Sequence, residues 1–463
     1  MFGLGNSIGD QEVAAIGQAD DVVLLSHDIH YLANLLKLTL DYCKNNHVTL
    51  APEKTKLIAF AGKKQQAWVE YQKLTSSLKI DNVEIEFVSS TEHVGVIRST
   101  LGNLPHLQTR VSSHNKSLYA VLPAGLARNR FANPAASLRV EAVHALPVLL
   151  SGIASLVLSD DETKIIHIHH KNTLQSIQKL HDKTPEPFIM FMAGSPGATA
   201  HLHMRILGLF GMICRLPQNI LNTIASQKLF SEPDSSSSWF AQVRKLCVKY
   251  NLPSPITLLS QPLKKENYKS MIKSNIIGFW ETKYRQEAET KTSLLYFKPQ
   301  FHNLRHPHPL WTTCNSNSFE VNKSAVVARL LSGRYLSDWH CRHWSSDNPA
   351  GLCMLCPDEE TPGTLEHMLV TCTALNEKRK VLNKYIHDQT DDNDALRAVI
   401  AAEMSSTVTN TVQFLLDPSV VSSVQIAVQQ KKFTLEEIFA VTRTYCYAIH
   451  RRRLQLIGRF NFL

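Results

Sequence analysis

The sequence predicts an α+β protein that is mostly α-helical, with its strands confined to the segment before Leu101. In that segment, short β-branched and apolar runs have the length and composition of strands. Beyond it, apolar residues recur at every third or fourth position, most clearly in residues 135–158, 165–180 and 202–213, as they do on one face of a helix. A chain of 463 residues, 44% apolar and 19% charged, has the composition of a folded protein and the length for several domains.

The charge and cysteine content restrict the partner and the compartment. A net charge of +9 suits a polyanionic partner without requiring one, and residues 424–463 alone hold seven basic side chains against two acidic ones. The nine cysteines are an odd number in a chain too large to need disulfides, so a reducing compartment is predicted. Met1 to Asp10 lacks the features of a signal peptide. We therefore expect a nuclear or cytoplasmic protein that is not secreted.

The longest apolar run, Ala145 to Leu158, contains Pro147 and is too short to span a bilayer. A buried helix is predicted there, and no membrane contact is expected. Three breaks between helices are predicted as linkers or long loops, because proline, serine and histidine are concentrated in them. They are Ser235 to Ser238 after Pro233, the pair Pro253 and Pro255, and the stretch Phe301 to Leu310.

Residues 13–26 predict a tight β-hairpin. Its two apolar runs, Val13 to Ala19 and Val22 to Ser26, are separated only by Asp20 and Asp21. Two later segments, Leu57 to Ala61 and Val83 to Val88, have the composition of neighbouring strands.

A helix is predicted directly after the hairpin. Asp28 can cap its first turn, and Asn45-Asn46 ends it. Its apolar face has a spacing of three to four and consists of Ile29, Leu32, Leu36, Leu40 and Cys43.

Asp20 and Asp21 form a pair of adjacent carboxylates at the hairpin tip. Like charges this close oppose each other's ionisation unless a cation neutralises them. Magnesium binds a few carboxylate oxygens together with substrate phosphates, so such a pair is half of a site for two-metal phosphoryl transfer. The alternative is a solvated turn, where aspartate is common.

Three elements in sequence order resemble the palm domain of a reverse transcriptase. The first resembles its catalytic Asp-Asp box and extends from Gln18 to Ser26, although family members usually carry an aromatic residue or Cys where Gln18 stands. The second is Glu53-Lys54-Thr55-Lys56. The third, Thr91 to Ile97, resembles the primer-grip hairpin.

This resemblance implies roles for individual side chains. Asp20 and Asp21 would be catalytic ligands of Mg2+, and Lys54 would lie near the nucleotide triphosphate. As an alternative, Lys54 and Lys56 are ordinary solvated lysines.

The remainder of the chain resembles the thumb and C-terminal region of non-LTR (LINE-type) retrotransposon reverse transcriptases, so the resemblance covers nearly the whole chain. The matching stretches are Pro147 to Leu158, Leu180 to Leu209, Ser237 to Leu259, Leu330 to Cys372 and Tyr447 to Arg459. The resemblance implies five regions, which are a partial palm (1–100), a helical thumb and extension (101–230), helical segments with Ser/Pro/His-rich linkers (231–322), a Cys3His zinc-knuckle segment (323–380) and a helical basic C-terminal region (381–463).

Only 19 residues precede Asp20, so the fingers, the first metal-binding Asp, the template helix and the endonuclease of such elements are expected to be missing. The chain is then a truncated RNA-directed DNA polymerase with an incomplete magnesium site. It is expected to retain contacts with RNA and DNA. An unpaired palm edge beside Val13 to Ala19 would also invite self-association.

Cys353-x2-Cys356-x10-His367-x4-Cys372 has the ligand types and spacing of a Cys3His site for Zn2+. Pro357 and Gly363 would help the intervening loop to turn back. The alternative is a group of buried free thiols with a capped histidine, and Cys341 and His343 are spare candidate ligands nearby. So small a segment is expected to fold with its metal.

A terminal helix is predicted from the capping-box pattern Thr434 to Glu437. Arg451, Arg452, Arg453 and Arg459, followed by Phe460 and Phe462, could grip phosphates and stack on bases, or they form a solvated charged face. The helix face predicted to enter the core consists of Leu435, Ile438, Phe439, Thr442, Tyr445, Cys446 and Ile449.

Three functions are consistent with these patterns. The first is a LINE-type reverse transcriptase fragment that is inactive by itself, and the second is a working polymerase completed by an upstream sequence. The third is a host-adopted, non-catalytic zinc protein that binds RNA or DNA.

Overall fold

The computed structural model describes residues 3–8, 10–60, 78–121, 133–216, 220–233, 236–342, 348–356 and 360–458. Over these residues the protein is mostly helical with small two-stranded sheets, and all of the strands precede Leu101. This confirms the predicted fold class at the level of an α+β protein dominated by helices.

The N-terminal segment forms two separate hairpins. Strand β1 (Asn6–Ile8) pairs with β2 (Gln11–Val13), and β3 (Ala15–Gln18) pairs with β4 (Asp21–Leu24), both antiparallel. The second is the predicted hairpin, with one correction. Gln18 faces Asp21 across it, so the turn residues are Ala19 and Asp20, and Asp21 already belongs to β4.

The helix after this hairpin is confirmed at both ends. Helix α1 (Ile29–Asn45) is capped by Asp28, whose carboxylate accepts hydrogen bonds from the His30 and Tyr31 amides. The residue at its C-terminal cap is Asn46. Its apolar face enters a small core formed by Ile29, Leu36, Leu78, Ile80 and Ile85, against which Leu24, Leu32, Leu40, Leu50 and Leu57 pack.

The later strands are short. Strand β5 (Lys56–Leu57) pairs in parallel with β8 (Glu86–Phe87), as expected for neighbours, whereas Ala61 lies outside the described residues. Strands β6 (Lys79–Ile80) and β7 (Val83–Glu84) pair with each other. Strands β9 (Ser90–His93) and β10 (Val96–Ser99) form the hairpin predicted at Thr91 to Ile97.

Helices make up most of the remaining described residues. They are α2 (Leu104–Ala120), α3 (Pro134–Val140), α4 (Leu146–Leu149), α5 (Asp160–Ile177), α6 (Glu186–Ala193), α7 (Ala198–Cys214), α8 (Ile220–Ser231), α9 (Trp239–Lys249), α10 (Pro255–Ser260), α11 (Lys265–Glu289), α12 (Pro309–Thr312), α13 (Ser318–Leu331), α14 (Asp338–Cys341), α15 (Asn376–Gln389), α16 (Asp394–Met404), α17 (Val408–Leu416), α18 (Ser422–Gln429) and α19 (Leu435–Leu456).

The prediction of one buried helix over Ala145 to Leu158 was wrong. The helix stops at Leu149, and Gly152 adopts a φ of 73° before a short 3-10 turn, Ile153–Ser155. A Cβ at Gly152 would lie 2.7 Å from Val96 Cγ2, so glycine meets both the backbone and the packing requirement there. The periodic pattern did not reveal this break.

The chain forms two compact units, each made of three segments. The first comprises Met1–Ser113, Leu149–Ile166 and His201–Ile276, and the second comprises His114–Val148, His167–Ala200 and Ile277–Leu463. The first unit contains the strands, and the second contains the cysteine-histidine motif and the terminal helix. None of the described helices combines the length and apolar character needed to cross a bilayer.

Candidate metal centre

Cys353 and Cys356 lie on a tight turn in the second unit. The Cys356 amide donates to the Cys353 carbonyl at 3.3 Å, and the Cys353 amide donates to the Thr361 carbonyl at 2.8 Å. A bridge between Leu352 and Pro362 closes the base of this loop. The loop therefore brings together two thiols that are separated by two residues in the sequence.

His367 and Cys372 close the other side. They lie at the beginning and just after the end of a wide helical turn, His367–Thr371, and the Cys372 amide donates to the His367 carbonyl at 2.7 Å. Gly363 lies where the returning chain passes Asp338, and a Cβ there would be only 2.6 Å from the Asp338 Cβ. This supports the predicted role of Gly363 in turning the chain, whereas Pro357 lies outside the described residues.

The four predicted ligands converge. All are buried, and their ligand atoms lie within 4.8 Å of one another. The Cys372 sulfur is 3.5 Å from that of Cys356 and 4.0 Å from that of Cys353. Tetrahedral zinc with its usual Zn–S bonds separates sulfurs by about 3.8 Å, between these two values. The cluster can hold a metal ion such as zinc.

The imidazole of His367 supports this arrangement. Its Nδ1 lies 3.1 Å from the Thr371 hydroxyl, and its Nε2 is buried without a hydrogen-bond partner among the described residues. If Nδ1–H donates to Thr371, the lone pair on Nε2 is free for a metal. Without an ion, this nitrogen would be a buried polar atom with an uncompensated desolvation penalty.

The cysteines share their protons unequally. A hydrogen bond from the Cys372 thiol lowers the pKa of Cys353 to about 5, although burial opposes this change. The same hydrogen bond raises the pKa of Cys372. Sulfurs this close favour a state in which at least one is a thiolate, which is the form that binds metal.

Hydrogen bonds to surrounding elements hold the cluster. Tyr445 of helix α19 donates its hydroxyl to the Leu369 carbonyl at 3.1 Å, and Arg379 of helix α15 donates to the Cys372 carbonyl. Asp338 accepts from the Met354 amide, between the first two cysteines, at 3.3 Å. These contacts position the ligands from outside the segment that carries them.

The spare ligand candidates do not join this cluster. Cys341 is not part of the group that the four ligands form, and His343 lies outside the described residues.

His302, His308 and Asp417 form a second buried polar cluster, which sequence reasoning missed. Both imidazole Nε2 atoms approach Asp417 Oδ2, at 3.1 and 3.2 Å. The stretch Phe301 to Leu310 is a loop, one of the two predicted alternatives, and its buried side chains are His302, Leu304, His308 and Leu310. Its only sequence signal was the density of histidines.

This second cluster is better explained by hydrogen bonding than by metal binding. His308 Nδ1 accepts a hydrogen bond from the Leu310 amide at 3.0 Å, so the neutral ring carries its proton on Nε2. This N–H group donates a hydrogen bond to Asp417. A metal at Nε2 would need the lone pair of that nitrogen. The other Asp417 oxygen is occupied by the Ser419 amide and hydroxyl.

Asp20 and Asp21 are exposed at the tip of β3 and β4, and in the described part of the chain they belong to no group of three ligand side chains. The structure thus offers no support for a magnesium site there.

Lys54 is exposed in a short 3-10 turn, Pro52–Lys54, whereas Lys56 pairs with Glu86 on the neighbouring strand.

The terminal helix agrees with its sequence pattern except at one arginine. The capping box between Thr434 and Glu437 is present. Arg451 and Arg452 are exposed, but Arg453 is buried and bonded to Asp338, so it is not available to a phosphate. Arg459, Phe460 and Phe462 lie outside the described residues.

The face of the terminal helix that was predicted to enter the core is buried except for the half-buried Leu435. Its buried residues are Ile438, Phe439, Thr442, Tyr445, Cys446 and Ile449.

The chemistry of the centre follows from its own residues. Three thiols and one imidazole are the borderline-soft donors that zinc prefers, and four protein ligands leave no open coordination position. The chain matches no protein-family model, and no curated protein or solved structure shows significant similarity to it.

Proposed function

We propose that this chain belongs to a LINE-type reverse transcriptase and acts, as a single chain, as a zinc-stabilised nucleic-acid-binding protein without polymerase activity. The observation that carries the proposal is the convergence of Cys353, Cys356, His367 and Cys372. The metal's role would be structural, because four protein ligands exclude the open position that a catalytic zinc needs.

The proposed nucleic-acid contact lies on helix α19, which packs against the metal centre. Tyr445 and Arg453 of this helix bond to Leu369 and Asp338 beside the ligands, and Arg451 and Arg452 are exposed in the same part of the helix. Metal binding would therefore fix the helix that presents these two arginines. Adjacent arginines attract phosphates but carry no base code, so binding with little sequence preference is expected.

A polymerase origin is the second part of the proposal. It is supported by the order of three elements in one chain: the β3–β4 hairpin with Asp20 and Asp21, the Glu53 to Lys56 segment, and the β9–β10 hairpin. Palm and thumb remain proposed names for these regions. Catalysis by this chain is not proposed, because two exposed carboxylates supply only one edge of a two-metal site.

The test is salt-dependent binding of the zinc-loaded chain to a labelled single-stranded RNA of mixed sequence. Fluorescence anisotropy between 50 and 200 mM salt gives the slope of log affinity against log salt (about 0.7 per phosphate contacted on a single strand). The variant Arg451→Gln with Arg452→Gln should lower this slope by about 1.4.

A matched control removes two lysines that already have carboxylate partners, Lys283→Gln with Lys380→Gln. It loses the same charge and should keep the wild-type slope. Equal slopes for the arginine variant and the control would reject the proposed contact on α19.

A further inference from the structure

Residues 239–276 of the first unit contain more basic than acidic side chains, and this basic segment is separate from the terminal helix. This segment holds seven basic side chains and one acidic residue, Glu266. All seven basic residues lie on α9 and α11 or directly before α11. The surplus is larger than that of residues 424–463, where seven basic residues face two acidic ones.

The lysines of α11 form a row on one side of the helix. Lys265, Lys269 and Lys273 are four residues apart and exposed, so they extend along about 12 Å of the axis. Tyr268 and Ile272 lie on the adjoining side of the helix and are buried, and the Tyr268 hydroxyl donates to the Leu207 carbonyl at 2.9 Å.

Helix α9 adds a further exposed lysine, Lys245, and its C-terminal end is bonded to α11. The Asn275 side chain of α11 donates to the carbonyls of Tyr250 and Asn251, at 3.0 and 3.2 Å, directly after α9. The two helices are thus held together within one unit. We call the four lysines at the start of α11, Lys264, Lys265, Lys269 and Lys273, the lysine surface.

Lys245 and the four lysines of the lysine surface have no carboxylate partner within the described ranges, in contrast to Lys228 and Lys283, which pair with glutamates one turn away. Their position is also unfavourable for the helix. Lys264 and Lys265 stand at the N-terminal end of α11, where the helix dipole disfavours positive charge. An anionic partner would compensate both the mutual repulsion and the dipole.

We infer that the lysine surface binds the phosphate backbone of a nucleic acid, independently of the zinc centre and of Arg451 and Arg452. A membrane fits less well, because the apolar faces of α9 and α11 are buried in the unit and cannot enter a bilayer. An acidic protein also fits less well, because protein interfaces are depleted in lysine and rely on aromatic anchors.

The test compares two variants of the full chain that lose the same charge. The first carries Lys265→Gln, Lys269→Gln and Lys273→Gln, and the control carries Lys228→Gln, Lys283→Gln and Lys380→Gln, whose lysines are ion-paired. Glutamine has nearly the helix propensity of lysine, so both variants should fold, as circular dichroism can verify. Binding of a labelled single-stranded RNA is measured from 50 to 200 mM salt.

The lysine-surface variant should lower the salt slope by about 2, and the control should not. Both variants are also made in a chain that already carries Arg451→Gln and Arg452→Gln. The decrease in salt slope caused by the lysine-surface variant should persist there, which distinguishes this inference from the proposed function. Equal slopes for variant and control would overturn the inference. The inference would also be overturned if the lysine-surface variant lost binding to phosphatidylserine vesicles while its RNA binding stayed unchanged. The partner would then be a membrane.

Discussion

Arg453 and Asp338 form a buried ion pair at the metal centre, with a guanidinium nitrogen 2.6 Å from Asp338 Oδ1. Both side chains are more than nine-tenths buried. Asp338 also accepts the Met354 amide from the cysteine turn, so the pair links the terminal helix to the loop that carries two of the ligands. Arg453 is thus part of the structure that positions the centre.

The first prediction concerns this pair. Asp338→Asn leaves a buried guanidinium without its counter-charge and should destabilise the second unit by about 3–5 kcal/mol. The measurement is urea unfolding of the zinc-loaded chain. Replacing both partners with apolar residues should cost less than the two single replacements combined. The control, Arg452→Met at an exposed position, should stay within about 0.5 kcal/mol of wild type. Equal effects of Asp338→Asn and the control would contradict the prediction.

The second prediction is one zinc ion per chain, measured by elemental analysis of protein purified without added metal. Cys353→Ser with Cys356→Ser should abolish it, because two of four ligands are lost. A strong chelator should also lower the midpoint of thermal unfolding, since metal binding contributes to folding.

Two controls make the zinc prediction specific. Cys341→Ser removes a nearby thiol outside the cluster and should keep full stoichiometry. His302→Gln should also keep it, because the His302, His308 and Asp417 cluster is assigned to hydrogen bonding. A second zinc ion that disappears with His302→Gln would show that assignment to be wrong.

The third prediction is that the 463-residue chain extends no primer on an RNA template, with magnesium or manganese. Asp20 and Asp21 are exposed on one hairpin and join no third ligand in the described part of the chain, whereas two-metal transfer requires both ions to be held about 4 Å apart. Asp20→Ala is the control. Extension by the wild-type chain that Asp20→Ala abolishes would show that another group completes the site.

The fourth prediction concerns acid stability. Burial alone would raise the pKa of Asp417, but attraction to His308 and hydrogen bonds from both histidines hold it well below its usual range. A carboxylate with a lowered folded pKa stabilises the fold above its unfolded pKa, about 3.9, and this contribution is lost as the pH falls below that value. Burial lowers the pKa of His308, so its neutral form adds a contribution that declines below about pH 6.5.

Asp417→Asn should therefore lower stability at pH 7 by about 1.5–3 kcal/mol, and its difference from wild type should shrink as the pH falls from about 4 to 2. Thermal unfolding followed by circular dichroism across this range provides the measurement. Asp388→Asn, at an exposed carboxylate, is the matched control. A difference from wild type that is constant with pH would reject the role given to Asp417.

The features that depend on neighbouring residues could be predicted from the sequence. The mostly helical class, the cap of α1 at Asp28, the hairpin at Asp20 and the capping box at Thr434 follow from short-range hydrogen bonds and periodicity. The metal ligands were also readable, because all four lie within residues 353–372 and their spacing is itself the signal. The resemblance to a reverse transcriptase remains a prediction of the sequence.

Which polar groups are buried depends on contacts between distant segments, and the sequence pattern does not show these contacts. Arg453 lies four residues after Ile449, so the apolar face of α19 extended to it, but its charge indicated the surface until Asp338 was found beside it. Asp417 meets His302 and His308 across 115 and 109 residues, a separation that no local pattern can encode. A buried charge is tolerated only when an opposite charge or hydrogen bonds compensate its lost hydration. Here the compensating groups come from distant segments, so the packing of the whole unit determines whether they are present.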